Sequence, residues 1–497
     1  MSSARMAAPA ATPPYERHRP EETQLYQLIE TYYPAFRAQL EAQGQTLPAF
    51  VKQEFDDFLK CGRLDYGFLR VCCEDCKHER LVAFSCKRRG FCPSCGARRM
   101  AECAALLVDE VLPKEPIRQW VLSFPYELRF LLAQQPAMMG KVLEITHRTL
   151  ATHLVKKAGF NKRTAHTGAV TLIQRFGSAL NLNIHFHMLF LDGVYAEEYG
   201  VMRFHRVKAP TIEELNVLVH QISHRVTRFL EKKGWLQRDD ENTYLLLDAI
   251  DQEDDALGQL QGHSITYRIA MGPQKGRKVF TLQSLPPRLD TPRLSDRAAK
   301  QAGFSLHAGV MAEPHQRDVL ERLCRYVSRP AVSEKRLALT GNSKVRYELK
   351  TPYRDGTTHV FFDPLDFIAR LAALVPKPRV NLTRFHGIFA PNSKHRALVT
   401  PAKRGKSKKT AEGVCTQEKT IAERRRAMTW MQRLKRVFNI DIEMCERCGG
   451  HVKVVSCIED PEVIEKILQH LALKESPPLP RFSEARGPPE QAALFPY

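Results

Sequence analysis

The sequence predicts an α+β fold in which a central antiparallel sheet is flanked by helices. A cysteine-rich module precedes this core, and a helical, basic region follows it. Three observations carry the prediction. Short apolar runs at Trp120-Val121-Leu122, Ala169 to Ile173 and Ile184 to Leu191 read as strands. Between and after them, Met138 to Lys156 and Ile212 to Leu230 repeat apolar residues at helical spacing. Strands in this order, with helices between only some of them, suggest an α+β sandwich.

In chain order, Met1 to Pro20 is rich in Ala, Pro and Ser and lacks a continuous apolar stretch, so it reads as a disordered tail (1–20) rather than a signal peptide. From Glu21 to Leu59, Leu25, Leu28, Ile29, Tyr32 and Tyr33 mark one helix. After the breaker Pro48, Phe50, Phe55 and Phe58 mark another. Ser305 to Met311 is a strand candidate, followed by a helix from Pro314 to Ser328 that Arg329-Pro330 closes, because the residue before proline avoids the α region. Val345 to Lys350 and His359 to Phe362 read as a hairpin, and Asp366 to Leu374 as a helix. Residues 401–420 are a basic linker, Ile421 to Phe438 a basic amphipathic helix, and 476–497 a proline-rich tail. No run of about eighteen apolar residues occurs, so no membrane span is expected.

The 497 residues carry a formal charge of +20. Seventeen Lys and Arg against three Glu between Leu371 and Val437 account for +14 of it. A solvated linker and a polyanion-binding segment both fit such a field, and a nucleic acid partner is the better reading.

Eight of the thirteen cysteines lie between Cys61 and Cys103. Fifteen residues separate Cys73-x-x-Cys76 from Cys92-x-x-Cys95, the spacing of a four-cysteine zinc site. Cys86 and Cys72 are alternatives for a ligand. Cys445-x-x-Cys448 is half of the same pattern without a partner pair nearby, and reads as a ribbon remnant or a turn before it reads as a second site. The pairing of cysteines without a secretory signal points to metal and a reducing cytoplasm.

In Asn183 to Asp192, strand periodicity sets His185 and His187 on one face and Ile184, Phe186, Met188 and Phe190 on the other. Two imidazoles aimed together suit either a structural role or a divalent ion. If residues 177–181 turn the chain, Gln174 approaches that face from the neighbouring strand and offers an amide oxygen. Tyr326 follows Arg322 by one turn on the Pro314 to Ser328 helix. A tyrosine oxygen beside a metal and arginines suits covalent phosphodiester cleavage, whereas Val319 and Leu323 on the same stripe suit a core tyrosine.

Taken together, Phe84 to Gly96 (FSCKRRGFCPSCG), Gln174 to Ser178 leading to His185-Phe186-His187, Arg325 to Pro330, and His386 to Asn392 (HGIFAPN) resemble the HUH endonuclease transposases. The specific likeness is to the rolling-circle insertion sequence ninety-one family and its common-region relatives, over about Cys73 to His470. The resemblance implies an HUH-nuclease core with Mg²⁺ or Mn²⁺ on His185 and His187, Gln174 as a third ligand, and Tyr326 as the nucleophile that takes a 5′ phosphate from single-stranded DNA. It also implies a structural Zn²⁺ in the N-terminal module on Cys73, Cys76, Cys92 and Cys95. Further implications are DNA contacts from Arg322, Arg325, Arg329, Arg424, Arg425 and Arg426, host replication machinery as a partner, and a place in the bacterial cytoplasm at the nucleoid. Some relatives carry two tyrosines four positions apart, and here the earlier position is Arg322, so a single-tyrosine enzyme is implied.

The expected organisation is a helical and zinc-binding domain (21–110), the nuclease domain (111–337), its extension (338–400), the linker, and a basic helix with the Cys-x-x-Cys module (421–475). The rival reading is a zinc-dependent DNA-binding protein without catalysis. It keeps the cysteines and the basic segments but has no need of His185, His187 and Tyr326 together. A zinc hydrolase, using metal-bound water, is a third reading.

Overall fold

The structure, a computed structural model, describes residues 19–238, 243–245, 256–287, 298–402 and 444–472. The basic helix with Arg424, Arg425 and Arg426 and the proline-rich tail lie outside the described residues, as do all but the ends of the N-terminal tail and the basic linker. Among the described residues, no helix is long and apolar enough to cross a membrane.

Six antiparallel strands form the central sheet in the spatial order Ala298–Gln301, Phe304–Ala312, Ile117–Ser123, Leu182–Leu191, Gly168–Phe176, Thr383–Gly387. The expected α+β class and the antiparallel neighbours Gly168–Phe176 and Leu182–Leu191 are therefore present. Thr383–Gly387, which begins the HGIFAPN run, is the edge strand of this sheet.

The sheet buries both faces. Ile184, Phe186, Met188 and Phe190 join one core with helices Tyr126–Gln134, Pro136–Lys157, Ile212–Lys232, Ala256–Ile265 and Pro364–Leu374. Leu189 and Leu191 face the other way, into a core completed by Leu320, Leu323, Cys324 and Val327 of helix Arg317–Ser328 and by Ala104 of helix Pro93–Leu106. The i, i+3, i+4, i+7 spacing of those four residues makes Arg317–Ser328 a one-faced helix, and this fixes which of its side chains look at the sheet. A bidentate ion pair between Arg118 and Asp192, both buried, ties the end of the Leu182–Leu191 strand to its neighbour.

The N-terminal helices Gln24–Ala42 and Ala49–Lys60 match the two apolar stripes either side of Pro48. The hydroxyl of Thr23 caps the first by accepting from the Tyr26 amide. The expected hairpin is present as Val345–Glu348 paired with Thr357–Phe362. A separate three-stranded sheet has Phe68–Cys73 at its centre, between Glu79–Ala83 and Val452–Ile458. The chain near its C-terminus thus adds a strand to the cysteine-rich module near its N-terminus.

Candidate active site and metal centres

Register decides the histidine face. His185 lies directly opposite Gln174 on one side and Ser123 on the other, and His187 lies opposite Leu172 and Val121. Directly opposed residues share a face, so Gln174, His185 and Ser123 form one row across three strands. His187 Nε2 is 3.0 Å from His185 Nε2. His185 Nδ1 donates to the Asn183 carbonyl at 2.8 Å, and Gln119 Nε2 donates to His187 Nδ1 at 2.6 Å. Burial holds the His185 imidazole down at about 4, the Asn183 carbonyl opposing and the charges of Arg329 and Arg129 adding to it. His187 is held well below its ordinary value by burial, then by His185 and Arg329. Both rings are consequently neutral at physiological pH, the form in which imidazole ligates metals.

Helix Arg317–Ser328 brings Tyr326 onto this face. Its ring meets the His187 ring edge-on, with centroids 6.0 Å apart. The Arg329 guanidinium stacks at 4.6 Å from the Tyr326 centroid, and Lys350 Nζ lies at 4.7 Å from it. Lys350 stands just beyond the Val345–Glu348 strand, and desolvation followed by the charges of Arg329 and Arg336 lowers its ammonium to about 8. Gln174 Nε2 donates to the Val327 carbonyl at 3.2 Å, tying the sheet to the tyrosine helix.

The six expected arginines fare differently. Arg329 is at the tyrosine. Arg322 is exposed and paired with Asp318 one turn earlier, and Arg325 pairs with Glu321. These intrahelical pairs follow from the i, i+4 spacing of acid and base on this helix. Arg424, Arg425 and Arg426 are outside the described residues.

The cysteines correct the expected ligand set. Cys73, Cys76, Cys92 and Cys95 do not share one centre; two four-cysteine clusters form instead, Cys61 with Cys86, Cys92 and Cys95, and Cys73 with Cys76, Cys445 and Cys448. The reason lies in the backbone. The turn after Phe68–Cys73 presents Cys73 and Cys76 at the end of the sheet where Val452–Ile458 pairs, and the Glu74 amide donates there to the His451 carbonyl at 2.8 Å. The two knuckles correspond: each second cysteine is followed by a residue in the left-handed region, Lys77 (φ 58°) and Gly449 (φ 74°). Cys86, read as an alternative ligand, is in the first cluster, whereas the Cys72 sulfur turns to the Cys73 carbonyl.

Sulfurs in the first cluster stand 3.8 Å (Cys61 to Cys92), 3.7 Å (Cys61 to Cys95) and 3.4 Å (Cys86 to Cys95) apart. In the second, Cys73 to Cys448 and Cys76 to Cys445 are both 3.5 Å. A zinc tetrahedron with bonds of about 2.3 Å has sulfurs about 3.8 Å apart, so both sets fit. In each cluster one thiol is held low. Hydrogen bonds from Cys61, Cys86 and Cys92 take Cys95 far below the thiol range, and the Cys448 and Arg447 amides bring Cys445 to about 6.

Two family models match. One, described as "Putative transposase" (Y2_Tnp), covers residues 168–397, from the start of the glutamine strand to beyond the HGIFAPN run. The other, described as "Transposase zinc-binding domain" and built on insertion sequence ninety-one, covers residues 28–124. The two matches support an insertion sequence ninety-one-like transposase. No curated protein and no solved structure matches it. The matched transposase and zinc-binding domains support a DNA-processing role, DNA as a partner and structural zinc. The zinc-binding match takes in six of the eight clustered cysteines, and Cys445 and Cys448 come from beyond both matches.

Sequence reasoning missed three residues of this transposase. Gln119 was legible as a polar residue two before Val121, hence on the Val121 and His187 face. Cys61 is a lone cysteine twenty-five positions from Cys86, and Lys350 has no local signal at all.

Proposed function

We infer that this transposase cleaves and rejoins single-stranded DNA at the ends of its element through a 5′-phosphotyrosine on Tyr326, driving rolling-circle transposition. One observation carries the reading: the paired Nε2 atoms of His185 and His187 and the ring of Tyr326 meet on one face, beside two cations. A non-catalytic DNA-binding protein has no use for that convergence.

The donor set suits Mg²⁺ or Mn²⁺. Two neutral imidazole nitrogens 3.0 Å apart match adjacent corners of an octahedron with bonds of about 2.1 Å. Gln174 spends its Nε2 on the Val327 carbonyl, which leaves Oε1 as the third donor. When bound, the ion supplies Lewis-acid polarisation of a phosphate oxygen. Each four-cysteine cluster takes one structural Zn²⁺.

In the cleavage step the Tyr326 oxygen bonds to phosphorus as the bond from phosphorus to O3′ breaks. The phenolic proton passes to solvent, and O3′ takes up a proton and leaves as a free 3′ hydroxyl. Arg329 and Lys350 face the charge that grows on the phosphate. The free hydroxyl primes host replication, which displaces one element strand. Attack of a 3′ hydroxyl on the phosphotyrosine reverses the chemistry at a target and needs no external energy. Arg424, Arg425 and Arg426 would grip DNA backbone, a salt-sensitive contact without sequence information.

The test is incubation with labelled single-stranded DNA from the element's end plus Mg²⁺ or Mn²⁺, followed by denaturing electrophoresis. A covalent adduct that is lost in Tyr326→Phe and in His185→Ala supports the reading. Tight binding with no adduct under either metal returns the DNA-binding reading in its place.

A further inference from the structure

Behind the tyrosine, between the first cysteine cluster and the central sheet, lies a cavity of about 300 Å³. Among the described residues, five arginines line it and no carboxylate does: Arg88, Arg89, Arg99, Arg175 and Arg329. They come from four pieces of structure. Arg88 and Arg89 precede the Cys92 knuckle, and Arg99 is on helix Pro93–Leu106. Arg175 ends the glutamine strand, and Arg329 ends the tyrosine helix.

Nearby acids lie behind these walls. Asp57 pairs with Arg88, and the Glu54 carboxylate accepts from the Gly90 amide. Arg175 is buried and donates to the carbonyls of Leu374 and Val375. Arg99 donates to the Lys87 and Arg88 carbonyls, and Arg89 to the Val380 carbonyl. The first cluster, with zinc, would add two negative charges behind Cys92. None of these acceptors reaches Arg329. Its guanidinium lies over the rings of Tyr326, at 4.6 Å, and Phe176, at 5.4 Å, and its Nη1 is buried with no hydrogen-bond partner among the described residues. A buried, unpaired donor on a charged group is costly unless a ligand completes it.

We propose that this cavity is a phosphate site for the DNA strand, holding the nucleotide next to the one cleaved. The proposal rests on Tyr326 being the nucleophile. Guanidinium groups match phosphate oxygens in a bidentate fork, and Arg329 bridges the cavity to the reacting tyrosine. Asn381 adds a neutral amide to the lining, where Gln174 and Ser328 already donate to the Val327 and Cys324 carbonyls, and the Phe176 ring offers a surface for a base. The volume is at the small end of single-ligand pockets, enough for one nucleotide rather than a duplex. The zinc module therefore acts as one wall of the substrate channel.

The experiment uses the full chain carrying Tyr326→Phe, with zinc loaded and Mg²⁺ and Mn²⁺ withheld, so that binding is read without cleavage. Fluorescence anisotropy with a single-stranded oligonucleotide of the element's end is measured across a salt series. Arg329→Gln and Arg89→Gln are each expected to weaken binding about tenfold and to lower the salt slope by about 0.7. Lys141→Gln, an exposed cation on helix Pro136–Lys157, is expected to change affinity less than about twofold. Zinc content and thermal midpoint report folding, and Arg89, being exposed, carries the test if Arg329→Gln unfolds.

Parental affinity and salt slope in both cavity variants would overturn the proposal. So would free inorganic phosphate stabilising the parent and not Arg329→Gln while oligonucleotide affinity stays the same, since the cavity would then hold a free anion. Because no adduct is measured, a failure of the cleavage reading leaves this outcome separately readable.

Discussion

Gln119 and His187 meet on adjacent strands, and the glutamine amide donates to His187 Nδ1 at 2.6 Å. This leaves the His187 proton on Nε2, pointed at His185 Nε2, while His185 keeps its own proton on Nδ1 against Asn183. A metal on both Nε2 atoms requires His187 to move its proton to Nδ1 and Gln119 to turn its amide oxygen toward it. Outer partners of this kind set ligand tautomer and orientation. Gln119→Leu should weaken Mn²⁺ binding about 10 to 100-fold, and Gln119→Glu, which keeps an acceptor, should retain it. Electron paramagnetic resonance titration with Mn²⁺ checks this, and equal affinities in all three proteins would refute the tautomer argument.

The two four-cysteine clusters among the described residues predict two zinc ions bound there. Cys448→Ser should bind one, because Cys73, Cys76 and Cys445 lose their fourth ligand while the Cys61 cluster is untouched. Hydrogen exchange in Val452–Ile458 should rise in the same variant, since that strand is on the sheet edge beside the lost site. Elemental analysis giving two zinc ions in Cys448→Ser would exclude the cluster as a metal site.

Gly96 sits where the zinc helix touches the end of the tyrosine helix. A Cβ there would lie 2.6 Å from the Pro330 Cβ, too close to fit without a shift. Gly96→Ala should destabilise the protein by about 1 to 3 kcal/mol and displace Tyr326 from the histidines. Adduct yield should fall more than DNA affinity does. An unchanged thermal midpoint together with full adduct yield would show that the two helices do not position one another.

Acid should destabilise the sheet's outer helical layer through His147, which stacks on Phe190 and on His386. Burial, then the charges of His386 and Arg148, push its imidazole from 6.5 down to about 3. The unfolded chain therefore takes up a proton that the folded chain refuses. Stability is complete above about pH 6.5 and is lost as pH falls from there toward 3, by at most about 1.4 kcal/mol per unit. Urea unfolding at pH 7 and pH 4.5 should show a smaller loss in His147→Gln than in the parent, and equal losses would remove His147 as the cause.

Much of the site was legible before the fold. The His185 and His187 face follows from a period of two, and the helix bearing Tyr326 from its apolar spacing and the closing Arg329-Pro330. The opposition of Gln174 and His185 required one further fact, the register. The turn between the strands and the need to bury Leu189 and Leu191 on one side and Phe186 and Met188 on the other supply it. Arg322 and Arg325, expected as DNA contacts, pair with Asp318 and Glu321 one turn earlier, and that i, i+4 pattern of acid and base is visible in the chain itself.

Sequence by itself determined the antiparallel α+β core, the histidine pair, the tyrosine helix and the presence of thiolate metal sites, because each is written in periodicities of two to four residues or in a short spacing. Only the tertiary structure decided which cysteines belong together, since Cys73 meets Cys448 from 375 positions away and a strand pairing, not a spacing, brings them to 3.5 Å. The same holds for the arginine-lined cavity and for Lys350 over Tyr326. Side chains from separate elements converge there through packing of whole helices and sheets, and no local pattern in the chain encodes where those elements will stand.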